Sequence, residues 1–163
     1  MKRFRNLQTW FAGFLVLIPL ILYIYTGEWR DSISDYAYSE GNLLYAALLS
    51  IAATIFMYSG FIKKKWYNVV LGIALLLVGT TKHNHEVILH YGAATVFFIG
   101  SVVVMIVYSS TKQRIYKIIA GAFIVLAMIL HFAFDFWSLL IAEWIGILPI
   151  SLHFIGESQE IID

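Results

Sequence analysis

The side chains able to do chemistry fall into a few short stretches of this 163-residue chain. Asp31, Ser32, Ser34, Asp35 and Glu40 form one group, and His83, His85, Glu86 and His90 a second. His131 and Asp135 follow, at a spacing that places both on one face of a helix, and then Glu143. Histidine and carboxylate together suit a zinc-type site, with three protein ligands and an open position for water. They equally suit general acid–base chemistry or a proton relay. The candidate metal ligands are His90, His131 and Asp135, and zinc is the ion such a set would take. Glu143, Asp135, Ser34 and Asp35 are the candidate catalytic groups.

Each has a plainer reading. Asp135 precedes an apolar run and suits the cap of the helix that follows. Ser34, Asp35 and Ser39 are ordinary turn residues. His83, His85 and Glu86 read as solvated loop residues, Glu143 and His131 as a hydrogen-bonded structural pair, and His153 as a residue with no evident partner.

These residues can meet only if the elements carrying them bring them together. Hydrophobic residues make up 61% of the chain and charged residues 13%, against about 45–50% and 25% in a soluble domain. A chain this short has no core able to hide so much apolar surface. With no cysteine, disulfides and thiolate sites are excluded. The start, MKRFR before an apolar run, resembles a secretory signal. No small-residue cleavage site follows, so an uncleaved first span fits better.

Spans need about 20 mostly apolar residues. Six segments qualify: Trp10–Thr26, Leu43–Ile62, Trp66–Thr81, His90–Ser109, Ile115–Phe134 and Ser138–Ile155. The fold class is therefore all-α, a six-transmembrane-helix bundle over residues 1–163 with no soluble domain. Lys2, Arg3, Arg5, Lys63, Lys64, Lys65, Lys112, Arg114 and Lys117 fall on one side, leaving only Arg30 and Lys82 of the eleven basic residues on the other. By the positive-inside rule both termini are cytoplasmic in a multi-pass protein of the cell membrane. Trp10, Trp66, Tyr67, Tyr108 and Tyr116 fall at the inner interface, and Tyr23, Tyr25, Trp29 and Trp137 at the outer one. Glu157, Glu160 and Asp163 form an acidic tail. Gly72, Gly79, Gly92, Ala93, Gly100, Ala120, Gly121 and Gly146 suit close helix packing. Pro19 and Pro149 lie within spans. In this topology the histidine and carboxylate stretches share the outer face.

The stretch Ser32-Ile33-Ser34-Asp35-Tyr36-Ala37-Tyr38-Ser39 resembles the SISxYxYT-type outer loop of small bacterial six-helix membrane proteins of unknown function. Leu89-His90-Tyr91-Gly92-Ala93-Ala94-Thr95-Val96-Phe97-Phe98 resembles their LHxxAAxxFF span, and Ala142-Glu143-Trp144-Ile145-Gly146 their last-span glutamate. Those proteins are similar in layout to the damage-regulated autophagy modulator family. A weaker resemblance, to alkaline ceramidases and adiponectin-type receptors, implies a zinc hydrolase, with His90, His131, Asp135 and Ser34 the matching positions. The chain departs from that pattern in having six spans instead of seven and no HxxxH pair in its final helix.

The leading expectation is a non-enzymatic lipid-binding, sensing or scaffolding bundle, with Glu143, His90 and His131 in a buried polar network. The alternative is a metal-dependent hydrolase acting on a lipid at the outer leaflet, with zinc as cofactor. A proton pathway ranks last, because His153 is the only titratable group of the inner half apart from tyrosines. The expected partners are membrane lipids and not nucleic acid, with a second copy or another membrane protein left open.

Overall fold

Short connections between long apolar runs leave each helix little choice but to pack antiparallel to the one before it. The computed structural model describes the backbone of residues 2–158, with side chains at 9, 10 and 13–157. Its helices are α1 (Lys2–Thr26), α2 (Asn42–Lys63), α3 (Trp66–Thr80), α4 (Val87–Val107), α5 (Arg114–Phe134) and α6 (Leu139–Ser158). A short 3-10 helix over Ser34–Tyr38 interrupts the first connection, which the sequence reads as plain loop. Glu160 and Asp163 lie outside the described residues.

Each helix packs on its neighbour in sequence, and α6 returns to pack on α1, so the helices close into a ring. Leu15, Ile18 and Leu22 of α1, Ala53 and Phe56 of α2, Phe97 of α4 and Phe154 of α6 fill its centre. The rings of Phe97 and Phe154 each pack on Phe56, at centroid distances of 5.9 and 4.5 Å. The Trp144 indole of α6 donates to the Val16 carbonyl of α1 at 2.8 Å and fastens the closing seam.

The outside of the ring is as apolar as the inside. Ile88, Leu43, Phe132, Phe134 and Phe123 are largely exposed, and in α5 only 22% of the most apolar stretch is buried. Water would penalise such a surface at about 25 cal/mol for each Å²; lipid does not. Four helices, α2, α4, α5 and α6, are long and apolar enough to cross a membrane, and α3 and the apolar part of α1 are shorter. The chain is accordingly a helical membrane protein.

The two ends of the ring differ. Connections one, three and five share the end rich in histidine: Leu140 N–H donates to Asp31 O at 2.6 Å, and Tyr38 hydrogen-bonds Asn84. The α2–α3 turn marks the basic end, with Lys63, Lys64 and Lys65. There Glu157, read from the sequence as a tail residue, belongs to α6, is buried, and forms an ion pair with Lys65. Asn68 Nδ2 donates to the same carboxylate at 3.4 Å, and Lys63 Nζ to the Glu157 carbonyl at 3.0 Å. Burial disfavours the Lys65 ammonium, but the hydrogen bond and charge of Glu157 outweigh it and raise its pKa above the ordinary lysine value. A raised lysine pKa contributes stability that is fully present below the unfolded-state value and lost only as pH rises through the folded one. The contact therefore holds across neutral pH.

Helices α2 and α3 approach closely at Gly72, where an added Cβ would lie 2.6 Å from Met57 Cγ and 2.7 Å from the Ala53 carbonyl oxygen. Gly92 differs: nothing lies within 4 Å of a Cβ there, so it is not the packing residue its type suggests. Because backbone cannot yield at Gly72, Gly72→Val should destabilise the bundle by roughly 1–3 kcal/mol. Gly92→Val should shift the thermal midpoint in detergent far less.

Candidate functional site

Helix α6 carries its inward stripe at alternating steps of three and four residues: Leu140, Glu143, Ile147, Ile150, Phe154 and Glu157. The stripe is apolar between two glutamates. Glu157 answers the basic end, as above. Glu143 answers the histidine end: its Oε2 accepts the Ile33 N–H at 2.7 Å.

That amide is presented by a tightly folded first connection. Asp35 Oδ2 accepts the Ser32 N–H at 2.9 Å, and Ser32 Oγ accepts the Asp35 N–H at 3.0 Å. This reciprocal pair starts the 3-10 helix as a capping box starts an α-helix. Ser34 Oγ lies 3.0 Å from Ser32 Oγ, and the buried Tyr36 donates its hydroxyl to Glu28 O at 2.8 Å. Burial pushes the Tyr36 phenol above its ordinary pKa. Ser39 is the turn residue its type suggests, bonding Tyr36 O and accepting from Gly41 N–H.

His90 enters from α4 and is buried. Thr81 Oγ1 donates to Leu77 O at 2.6 Å, so that hydroxyl proton is committed. Both Thr81 oxygens lie 3.2 Å from His90 Nδ1. With two acceptors beside it, Nδ1 carries the proton, and the neutral imidazole keeps its Nε2 lone pair. Ser34, His90 and Glu143 line one cavity of about 190 Å³. Its remaining wall includes Phe98, Ile99, Met128 and Phe132. Ile99 and Phe132 are exposed on the flank of the bundle, so the cavity opens sideways between α4 and α5.

The other candidates lie elsewhere. His131 does not pair with Glu143; its Nδ1 donates to Trp137 O at 2.8 Å, and Trp137 Nε1 donates to Ala127 O at 3.1 Å, which pins the α5–α6 hairpin. Asp135 does not cap α6. It follows α5 with φ 49°, a left-handed cap position, and is exposed. Its N–H bonds His131 O at 2.9 Å and the next N–H reaches Leu130 O at 3.0 Å, the pattern that ends a helix by reversing its last turn. Past the helix end, the shared face with His131 is lost.

His83 is less solvated than a loop residue ought to be, lying 3.5 Å from Asp35 Oδ1 and edge-on to Tyr38. His85 is exposed, and Glu86 accepts the Lys82 N–H at 3.0 Å. Among the described residues no three histidine or carboxylate side chains are grouped to hold a metal ion. His90, His131 and Asp135 form no such group among those residues.

Several residues of the site escape sequence reasoning. Phe98, Ile99, Met128 and Phe132 are indistinguishable from lipid-facing residues until helix pairings are known. Glu157 was findable, since it continues the α6 stripe from Phe154.

The fold and site together define a helical membrane protein with a largely apolar cavity, holding Ser34, His90 and Glu143, that opens through its side. The chain belongs to the family of unknown function DUF7103, which matches residues 17–158. No curated protein and no solved structure matches it. The comparisons support an uncharacterised family and lend nothing to the autophagy-modulator or ceramidase resemblance.

If Asp135 serves only as a left-handed cap, glycine should suit the position. Asp135→Gly should leave stability unchanged or raise it by about 1 kcal/mol. Glu143→Ala should lose about 1–3 kcal/mol by orphaning the Ile33 amide, and Glu143→Gln, which keeps an acceptor there, should lose less. Thermal unfolding of the three variants in one detergent checks both statements.

Proposed function

We propose that the chain is a six-pass protein of the cell membrane with both termini cytoplasmic. In this reading it is a non-enzymatic binder of a membrane amphiphile, whose head group enters the cavity at the histidine end. The short α3, at 15 residues, spans about 22 Å, and Lys64 and Lys82 beside it can snorkel to make up the difference. The distribution of basic residues supports the orientation.

One observation carries the binding reading: Ser34, His90 and Glu143, from three separate elements, meet in a cavity that opens on the lipid-facing flank. A volume of about 190 Å³ is below the roughly 300–1,000 Å³ of pockets that enclose a whole drug-sized ligand. It takes a head group or part of one, with the chains left in the bilayer. The polar groups decide which kind. His90 Nε2 and the Glu143 carboxyl accept hydrogen bonds, and the Ser34 hydroxyl does either. A ligand that donates, through hydroxyl, amine or amide N–H, is matched; a phosphate, which only accepts, is not.

Native mass spectrometry of protein purified in a mild detergent tests this, with wild type beside Ala94→Trp, which places an indole in the cavity. Wild type should retain a donor-bearing lipid and the variant should lose it at a similar melting temperature. Equal retention by a folded Ala94→Trp protein, or no bound lipid in wild type after supplementation with membrane extract, would refute the reading.

A further inference from the structure

The histidine-end cavity changes character along its length. His90 stands three residues after the start of α4 and Glu143 four after the start of α6, about 4.5 and 6 Å inside the helix ends at 1.5 Å per residue. Ser34 joins them from the 3-10 helix. Phe98 and Ile99 lie two turns further along α4, about 12–14 Å beyond His90. With Met128 and Phe132 of α5 they form the apolar part of the lining, on the side where the cavity opens. A lipid entering from the flank must therefore carry whatever joins its head group to its chains past these four side chains.

The match to a hydrogen-bond donor admits both an uncharged alcohol and an amine-bearing phospholipid. Charge and size separate them. Among the described residues the lining holds no lysine or arginine. The basic residues of connections one and three are engaged: Arg30 pairs with Glu28, and the Lys82 ammonium lies 5.6 Å from the centre of the Tyr38 ring. Thr95 commits its hydroxyl proton to the Tyr91 carbonyl at 2.8 Å, so it adds an acceptor to the lining and no donor. A phosphodiester drawn in behind an amine would meet apolar walls and acceptors, with no cation to answer it. The cavity volume of about 190 Å³ equals roughly six waters at about 30 Å³ each. That suits a hydroxymethyl group and the carbons beside it, and leaves no space for a phosphate as well.

Resting on the reading that this cavity binds a membrane amphiphile, we propose that the ligand is an uncharged lipid whose head group is a bare hydroxyl, of the diacylglycerol kind. The hydroxyl donates to the acceptors around His90 and Glu143, and its oxygen accepts from the Ser34 hydroxyl. The ester groups and chains pass Phe98, Ile99, Met128 and Phe132 without carrying a charge through them. Phosphatidylethanolamine is the sharpest comparison, because its amine donates as the hydroxyl does but a phosphate stands between that amine and the chains.

The test is native mass spectrometry of the detergent-purified full chain, titrated separately with dioleoylglycerol, its 3-O-methyl ether and dioleoyl phosphatidylethanolamine. Wild type should take up one dioleoylglycerol at least about tenfold more tightly than phosphatidylethanolamine and about fivefold more tightly than the ether, which has lost the donor. Ala94→Trp should lose the dioleoylglycerol. Phosphatidylethanolamine bound as tightly as dioleoylglycerol by wild type, and lost in Ala94→Trp, would overturn this inference while leaving the binding reading in place. Equal binding of dioleoylglycerol and its ether would overturn it too, and that comparison needs no variant to fold. Undiminished dioleoylglycerol binding by folded Ala94→Trp protein, or no binding of any of the three lipids by wild type, would overturn the inference together with the reading it rests on.

Discussion

Two carboxylates on the inward face of one helix govern how this bundle closes. An apolar ring has no water to offer a charged group, so each glutamate of the α6 stripe must be answered by another part of the chain. Glu143 takes the Ile33 amide of the first connection. Glu157 takes Lys65 from the turn between α2 and α3 and Asn68 from the first turn of α3. The two lie about 21 Å apart along the helix at 1.5 Å per residue, so α6 fastens the ring near both ends while its middle packs by apolar contact alone. The order of helices around the ring follows: α6 can satisfy both glutamates only where the first connection and the α2–α3 turn are both in reach.

The two ends then acquire opposite chemical characters from the same device. At the histidine end the chain spends donors on Glu143 and Thr81, while His90 and Glu143 line the cavity. At the basic end it places cations around Glu157. Neither character could arise in a symmetric bundle of apolar helices, however well packed.

Much of the architecture is legible in the sequence because lipid imposes a simple rule on composition and length. The six helices, their order and the grouping of connections one, three and five can be read from apolar runs and the placement of lysine and arginine. The 3-10 helix over Ser34–Tyr38 cannot, since its cue is a reciprocal Ser32–Asp35 pair that also suits an ordinary turn. Site residues divide along the same line. Glu143, His90 and Ser34 were singled out by chemical type and do share a cavity. His131 and Asp135 matched a helical spacing, but the helix ends before Asp135, and the backbone of Trp137 takes the His131 ring. Helix pairing is set by shape complementarity between apolar surfaces, and an apolar sequence written in Leu, Ile, Val and Phe carries little of it.

The seam between α1 and α6 bears on the order in which the protein is assembled. Trp144 and Val16, joined across it, are 128 residues apart in the chain. Helix α1 therefore leaves the ribosome long before its partner exists and holds the face of Leu15, Ile18 and Leu22 open while the intervening helices are made. In water such a face would invite aggregation; in a bilayer, lipid tails solvate it about as well as protein does. Helix α6 has no such freedom, because lipid cannot answer its two glutamates. Its arrival is thus the committing step of assembly, and a chain cut short before α6 would be left as inserted helices without a lock.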